Sequence, residues 1–385
     1  MSPAPDAGGD GLLLDVRGLE VRSRIGDATQ TIVSGIDLHV ERGEAIAIVG
    51  ESGSGKSITA RVIASLLPEG LEASGEVLYK GRDVLTLGEK QRTELRGTEI
   101  GMILQDPFTM LNPLRLCGLH ITELLRDPSD RRPRRQALRH EAARRLAEVR
   151  ITDPAVADQY PFQLSGGMRQ RVAIAAMLAR DPTLLVADEP STALDVTTQA
   201  DILALLRALQ QERQMSLILI THDLRVAFAT CDRVYVLYAG TLLEVGKSQL
   251  IEEEPLHPYT LGLLMSEPPA DKRVARLAEI EGSVPRPDDV AGRCAFAQRC
   301  NWTMPVCSAQ KPALRELAAD RETACVRVDE IRGEMRVFRE RLETPIPLVV
   351  QPVPDPLVEI TNLTKVFESS KRRVVALDGV SIAVG

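Results

Sequence analysis

From residue 12 to about residue 50, apolar and polar positions alternate with the two-residue period of half-buried strands. LLLDVRGLEV from Leu12, TIVSGIDLHV from Thr31 and EAIAIVG from Glu44 are short β-branched runs set off by turn residues, and each is predicted as a strand. The last of them feeds a glycine-rich loop. From Lys56 to Leu67 the spacing becomes helical, with no proline or glycine before Pro68. Residues 107 to 163 read as helical and charged. Three further strand-like runs follow, LLVADEP from Leu184, LILITHD from Leu217 and VYVLYAG from Val234, with helix-like stretches between them. This alternation predicts an α/β fold on a largely parallel, buried sheet.

After about residue 266 the pattern turns to Pro, Arg and Cys. Residues 266–345 read as a small separate extension, and 346–356, within TPIPLVVQPVPDP, as a semi-rigid proline-rich linker. The pattern then begins again. Val358, Ile360 and Leu363 repeat Leu14, Val16 and Leu19 at an offset of 344 (358 − 14), and Gly379, Val380, Ile382 and Val384 repeat Gly35, Ile36, Leu38 and Val40. Such ungapped self-similarity predicts a tandem duplication, with 357–385 the start of a second domain. A domain cut at Gly385 would leave strands with unpaired edges, so the chain is expected to be part of a longer protein.

Composition narrows the class. With 385 residues there is material for two or three domains, and 44% apolar, 26% charged and 3% aromatic residues fit an Ala/Leu/Val-rich globular α/β protein. The net charge of −7 gives no general reason to bind nucleic acid. The most basic run, RRPRRQALRHEAARRLAEVR, interleaves Glu141 and Glu148 and has no aromatics to stack bases, so it reads as a solvated helix face. No stretch reaches the roughly 18 apolar residues of a spanning helix, so any membrane must be crossed by another polypeptide. The N-terminus has no signal-peptide pattern, which predicts a cytoplasmic protein with reduced thiols.

The chemistry-bearing segments come next. GESGSGKS, from Gly50 through Ser52, Gly53, Ser54, Gly55 and Lys56 to Ser57, fits the phosphate-loop pattern and lies between a predicted strand and a predicted helix. The glycines let backbone N–H groups turn in around a β-phosphate. Lys56 supplies a point charge to the β- and γ-phosphates, and the Ser57 hydroxyl can ligate Mg²⁺. The bland reading, a Gly-Ser turn, does not explain the flanking elements. Lying 132 residues (188 − 56) further on, Asp188 and Glu189 end an apolar strand at the sheet edge where ligands of α/β folds collect. Two acids there are commonly solvated caps. After a phosphate loop, Asp188 is the candidate Mg²⁺ ligand and Glu189 the candidate to polarise water. In LSGGMRQR, Ser165, Gly166 and Gly167 open a helix-like run and make a second anion site. One chain cannot easily fold both sites onto one γ-phosphate, so the simplest geometry closes two domains face to face.

At this point residues 12–265 closely resemble an ABC-type nucleotide-binding domain. The resemblance implies a P-loop NTPase of ABC type: a mixed, mainly parallel sheet core, an antiparallel β subdomain and a helical subdomain. It implies that Gln105 senses the γ-phosphate, joins the Mg²⁺ shell and contacts the membrane subunit, that Asp195 of STALD couples the two sites, and that His222 contacts the γ-phosphate. There are two departures: Met168 stands where the signature usually has Gln, and Ser23 where an aromatic usually stacks on adenine. The repeat has Phe367 at the latter position, so the first site is expected to bind ATP more loosely, by about 1–3 kcal/mol.

Cys294, Cys300, Cys307 and Cys325 crowd into the extension as C-x5-C-x6-C-x17-C, while Cys117 and Cys231 read as buried apolar residues. Four thiolates fit zinc or an iron–sulfur cluster, and the absence of close Cys pairs tilts the spacing toward iron; free thiols remain the third reading. ATPases of the oligopeptide/dipeptide importer family carry a similar extension, preceded by a motif like HPYT (His257 to Thr260), and some such extensions resemble 4Fe-4S sites of structural role. The resemblance implies ATP and Mg²⁺ as ligands and peptide import as the function. It implies two transmembrane permease subunits, an extracellular or periplasmic substrate-binding protein and a second nucleotide-binding domain as partners, no nucleic acid, and a peripheral place on the cytoplasmic membrane face. Nickel or another small solute stays open as cargo, and a soluble ABC ATPase acting on ribosomes or DNA as the rival.

Overall fold

A computed structural model describes residues 11–25, 28–125, 135–192, 194–269, 273–274, 276–345, 356–369 and 372–384. Two long strands, β1 (Leu12–Ile25) and β2 (Ala28–Glu41), lead to the short β3 (Ala45–Val49). Then come β4 (Leu71–Tyr79), β5 (Arg82–Asp83), β6 (Ile100–Ile103), β7 (Leu184–Asp188), β8 (Ser216–Thr221), β9 (Arg233–Tyr238) and β10 (Thr241–Lys247). The extension adds β11 (Arg315–Ala318) and β12 (Arg321–Thr323), and the repeat adds β13 (Val358–Ser369) and β14 (Arg372–Val384). Two compact units result, Met1–Pro268 with Arg276–Glu343, and Pro269–Ala275 with Thr344–Gly385.

In the first unit an antiparallel sheet runs β2-β1-β4-β5, and a larger one runs β11-β12-β10-β9-β3-β8-β7-β6. From β9 to β6 the pairing is parallel, with β3 between β8 and β9. Because successive side chains of a strand face opposite ways, β3 splits between two cores. Ala45, Ala47 and Val49 join the core shared with the helices Gly166–Met177 and Val196–Arg213, whereas Ile46 and Ile48 join the core under the antiparallel sheet. This double burial explains why the central strands read as unbroken apolar runs.

The helix after the phosphate loop spans Lys56–Ile63, shorter than the spacing to Leu67 predicts. Ser65 takes a left-handed φ of 55°, and the Leu66 N–H returns to the Arg61 carbonyl at 2.7 Å, a Schellman-type ending without glycine. In the helical region, Arg135–Glu148 forms a helix whose Arg144 pairs with Glu141 and Glu148, and whose buried Arg145 reaches Asp181 at 2.7 and 2.9 Å. The start of the basic run, residues 131–134, lies outside the described residues.

Of the segment read as an extension, residues 276–343 fall in the first compact unit. Its β12 pairs antiparallel with β10 and continues the core sheet, and the helix Val328–Glu343 buries Val328, Ile331 and Met335. The HPYT segment has a structural account of its own. His257 caps the helix Pro258–Ser266 by accepting the Tyr259 N–H at 3.1 Å, with Pro258 in the first turn. Fully buried Glu244 of β10 accepts the N–H groups of Leu256 and His257 at 2.8 and 2.9 Å and pairs with Arg321. Among the described residues, no helix is long and apolar enough to cross a membrane.

The second unit holds an antiparallel hairpin of β13 and β14. Its register repeats that of the first hairpin at the same offset: Leu14↔Val40, Leu19↔Ile36 and Ser23↔Gln30 become Val358↔Val384, Leu363↔Val380 and Phe367↔Val374. Even the bulge is reproduced. Gly18 at φ 56° donates to Asp37, and Asn362 at φ 54° donates to Ser381. Residues 346–355, nearly all of the expected linker, lie outside the described residues.

Candidate nucleotide-binding site

The site grows from the C-terminal ends of β3, β7 and β8. Gly50 leaves β3 at φ 150°, and a Cβ there would run into the carbonyl of Leu237, so the first turn of the loop admits only glycine. Gly55, at φ 105°, caps the helix that begins at Lys56. Ser52 and Gly53 are exposed, whereas Ser54 is fully buried and its hydroxyl has no hydrogen-bond partner among the described residues.

Lys56 is 5% exposed and folds its ammonium back onto the loop, donating to the carbonyls of Gly50 at 2.7 Å and Glu51 at 2.9 Å. Burial lowers its pKa, opposed by the carboxylates of Glu189, Asp188 and Glu51. Ser57 Oγ donates to Asp188 Oδ1 at 2.9 Å. Asp188 is almost fully buried; desolvation raises its pKa, and the Ser57 hydrogen bond works the other way. The pair of oxygens on Ser57 and Asp188 is the hard-ligand chemistry that Mg²⁺ requires.

Glu189 sits just past β7 in a left-handed conformation, φ 45°. Strain of this kind in a non-glycine residue persists only where surroundings fix it. Here three side chains do so: Gln105 Nε2 at 3.1 Å and Thr192 Oγ1 at 2.9 Å on one carboxylate oxygen, and His222 Nδ1 at 3.3 Å on the other. A cleft lined by Glu189, Thr192, Thr221, His222 and Asp223 opens beside them. The fold therefore brings Gln105, Asp188, Glu189 and His222 together with Lys56 and Ser57 from segments far apart in the chain. Thr192 is the member that sequence reasoning missed, although it lies within STALD.

Ser165, Gly166 and Gly167 are placed differently. Ser165 caps the helix Gly166–Met177, its exposed hydroxyl accepting the Met168 N–H at 3.3 Å. Gly167 packs so tightly on Thr198 that a Cβ would lie 2.6 Å from its methyl group. Asp195 caps the next helix through Thr198, at 2.9 Å to its N–H. Among the described residues no hydrogen bond joins Ser165 or Asp195 to the phosphate loop or to Glu189.

The four extension cysteines form no disulfide. The Cys294 N–H donates to the Cys307 carbonyl at 2.9 Å, and each of the four thiols lies within electrostatic reach of others in the set. Burial pushes the Cys300 thiol up to about 11 and Cys325 up to about 12. The expected metal-ligand set at Cys294, Cys300, Cys307 and Cys325 is nevertheless not found as a converged group: among the described residues, no three His, Cys, Asp or Glu side chains are placed to hold a metal ion.

A mixed, mainly parallel sheet with a glycine loop at one strand end, a half-buried Ser57 bonded to buried Asp188 and a restrained glutamate make up the phosphate end of a P-loop ATPase. The ABC transporter family model matches residues 33–192, and the model for the oligopeptide/dipeptide transporter C-terminal region matches 243–307. The dipeptide transport ATP-binding protein DppD of Bacillus subtilis is 41% identical over 330 residues, 85% of this chain and 97% of that protein. The oligopeptide transport ATP-binding protein OppD of the same organism is 42% identical over 306 residues, 78% of this chain and 85% of that protein. Among solved structures, a dimeric post-hydrolysis ATP-binding cassette bound to ADP and phosphate aligns at a TM-score of 0.55 and 28% identity, covering 61% of this chain and 99% of that one. The chain belongs to the ABC transporter ATP-binding family and carries the C-terminal region of its oligopeptide/dipeptide branch.

Proposed function

We propose that this chain is the ATP-hydrolysing subunit of an importer for di- and oligopeptides. It works at the cytoplasmic face of the membrane, under two transmembrane permease subunits supplied by an extracellular or periplasmic substrate-binding protein. The convergence of Gln105, Thr192 and His222 on Glu189, beside Ser57 and Asp188, carries the ATPase part of this reading. The relatives named for oligopeptide and dipeptide transport carry the cargo part.

In this reading the backbone of Gly50, Ser52, Gly53, Ser54 and Gly55 wraps the phosphates, and Lys56 exchanges the loop carbonyls for the β- and γ-phosphate oxygens. Ser57, Asp188 and Gln105 hold Mg²⁺, which when bound neutralises charge on those oxygens. Glu189 accepts a proton from the attacking water, and His222 holds the γ-phosphate end of the site. Ser165, Gly166 and Gly167 present their helix N-terminus outward, to the nucleotide held by another nucleotide-binding domain.

Four segments make up the chain in this account: a nucleotide-binding domain over 12–265, the cysteine extension over 266–345, a linker over 346–356 and the opening of a second nucleotide-binding domain over 357–385. The repeated hairpin register supports the last of these, as does its apolar strip, where Val358 and Phe367 are 52% and 59% exposed. For the cysteines we favour a 4Fe-4S cluster of structural role. One zinc ion with bonds of about 2.3 Å needs its sulfurs converged on a point, whereas a cluster gives each thiolate its own iron and spreads them. What favours the cluster over zinc is the C-x5-C-x6-C-x17-C spacing, which has no close Cys pair.

Labelled-peptide uptake into proteoliposomes carrying the complete transporter tests the function. Uptake that requires ATP and stops with Lys56→Ala supports it, and ATP-independent uptake, or uptake of another solute class alone, overturns it. Iron and sulfide assays on an anaerobic preparation test the cluster, and stoichiometric zinc without iron removes it.

A further inference from the structure

Glu51, the second residue of the phosphate loop, is gripped from outside the loop. Its N–H donates to the Tyr259 hydroxyl at 2.8 Å, its carbonyl accepts Lys56 Nζ at 2.9 Å, and its carboxylate meets the Arg299 guanidinium through two hydrogen bonds of 2.9 and 3.0 Å. Arg299 comes from the cysteine extension, immediately before Cys300. Its side chain is 7% exposed, and its remaining donors are spent on the carbonyls of Ile280, Glu281 and Gly282 and on the Tyr238 hydroxyl. The same loop sends Phe296 against the rings of Tyr238 and Tyr259, at 5.4 and 5.2 Å.

Two physical consequences follow. A bidentate arginine fork held at both ends fixes direction as well as distance, so Arg299 sets where the Glu51 end of the loop sits. A carboxylate in a loop that receives a triphosphate also repels it, and Arg299 cancels that charge where water only partly screens it. Lys56, which spans the same stretch of backbone, inherits its starting position from this tether.

We infer that Arg299 is a positioning residue for ATP, acting through Glu51, and that the cysteine extension is thereby a working part of the nucleotide site. The inference rests on reading Gly50–Ser57 as the ATP loop.

Steady-state ATP hydrolysis by the assembled transporter, with the full chain, tests it. Arg299→Ala should raise KM for ATP about tenfold while kcat stays within about twofold, because ground-state positioning is lost and the reacting groups are not. Glu51→Gln added to Arg299→Ala should return only the part of that loss that comes from the uncompensated charge and leave the part that comes from the lost fork. Arg299→Lys keeps the charge without the fork and should fall between, and it serves as the reporter if the alanine variant does not fold. An unchanged KM in folded Arg299→Ala or Arg299→Lys, or a double variant no better than the single one, overturns the inference. Lys56→Ala separates the two readings: if it too leaves ATP binding intact, the loop assignment fails, and not the role of Arg299 alone.

Discussion

A carboxylate that is to take a proton from water must be held in place without being neutralised. Glu189 is held by an amide, a hydroxyl and an imidazole, none of them a fixed cation. Glu189→Gln keeps the shape and removes the base, so ATP turnover should fall by about 10²- to 10⁴-fold while nucleotide binding persists, as phosphate-release and equilibrium-binding measurements would show. His257 makes a second residue-scale case. Burial pushes its pKa down to about 3, from an ordinary 6.5. As the pH drops below 6.5 the unfolded chain gains a proton that the folded one refuses, so stability is full above 6.5 and is lost toward 3, by up to about 1.4 kcal/mol per pH unit. His257→Asn keeps a capping acceptor without the proton, and denaturant melts from pH 7 to 4.5 should show this slope flattened. Lys56, Ser57, Asp188 and Glu189 were legible because each sits in a short pattern with a mechanical reason. Arg299 was not, because its partner Glu51 is 248 positions away and no local spacing announces the pair.

Among the elements, the strands buried on both faces were legible as apolar runs, since no polar side of β3, β7 or β8 had to be encoded. Short or half-exposed strands were not. β12 has three residues, two of them Arg and Glu, and only its backbone pairing with β10 makes it a strand. The helix Val328–Glu343 did leave a signal: Val328, Ile331, Met335, Phe338 and Leu342 follow three- and four-residue steps, overshadowed by charges on the other face. Where the extension joins the sheet, buried Glu244 serves two backbone N–H groups and Arg321 together. Glu244→Ala strands all three, and equilibrium unfolding should register a loss of about 3–5 kcal/mol, far beyond that of a surface ion pair.

At the scale of the whole molecule, the internal repeat read from the sequence reappears as a second hairpin with the register of the first. The offset of 344 residues maps each side of the first hairpin onto the second, and the paired register follows it down to the bulge at Gly18 and Asn362. The cysteine extension was not legible as architecture, because thiol spacing says nothing about which strand edge a segment will join, and the metal-ligand set read from that spacing is not found as a converged group among the described residues. The Ser165 turn was legible as a helix start and no further: it caps its own helix, and among the described residues no hydrogen bond joins it to the phosphate loop. In the proposed mechanism a triphosphate is shared between two lobes. An ATP analogue with a photoreactive γ-phosphate, bound to the complete transporter and mapped by peptide sequencing, tests this most directly. The predicted result is labelling of both the Gly50–Ser57 loop and a Ser165-type turn, with the second label lost when the lobes are held apart. Labelling of the Gly50–Ser57 loop alone, or of neither segment, would contradict it.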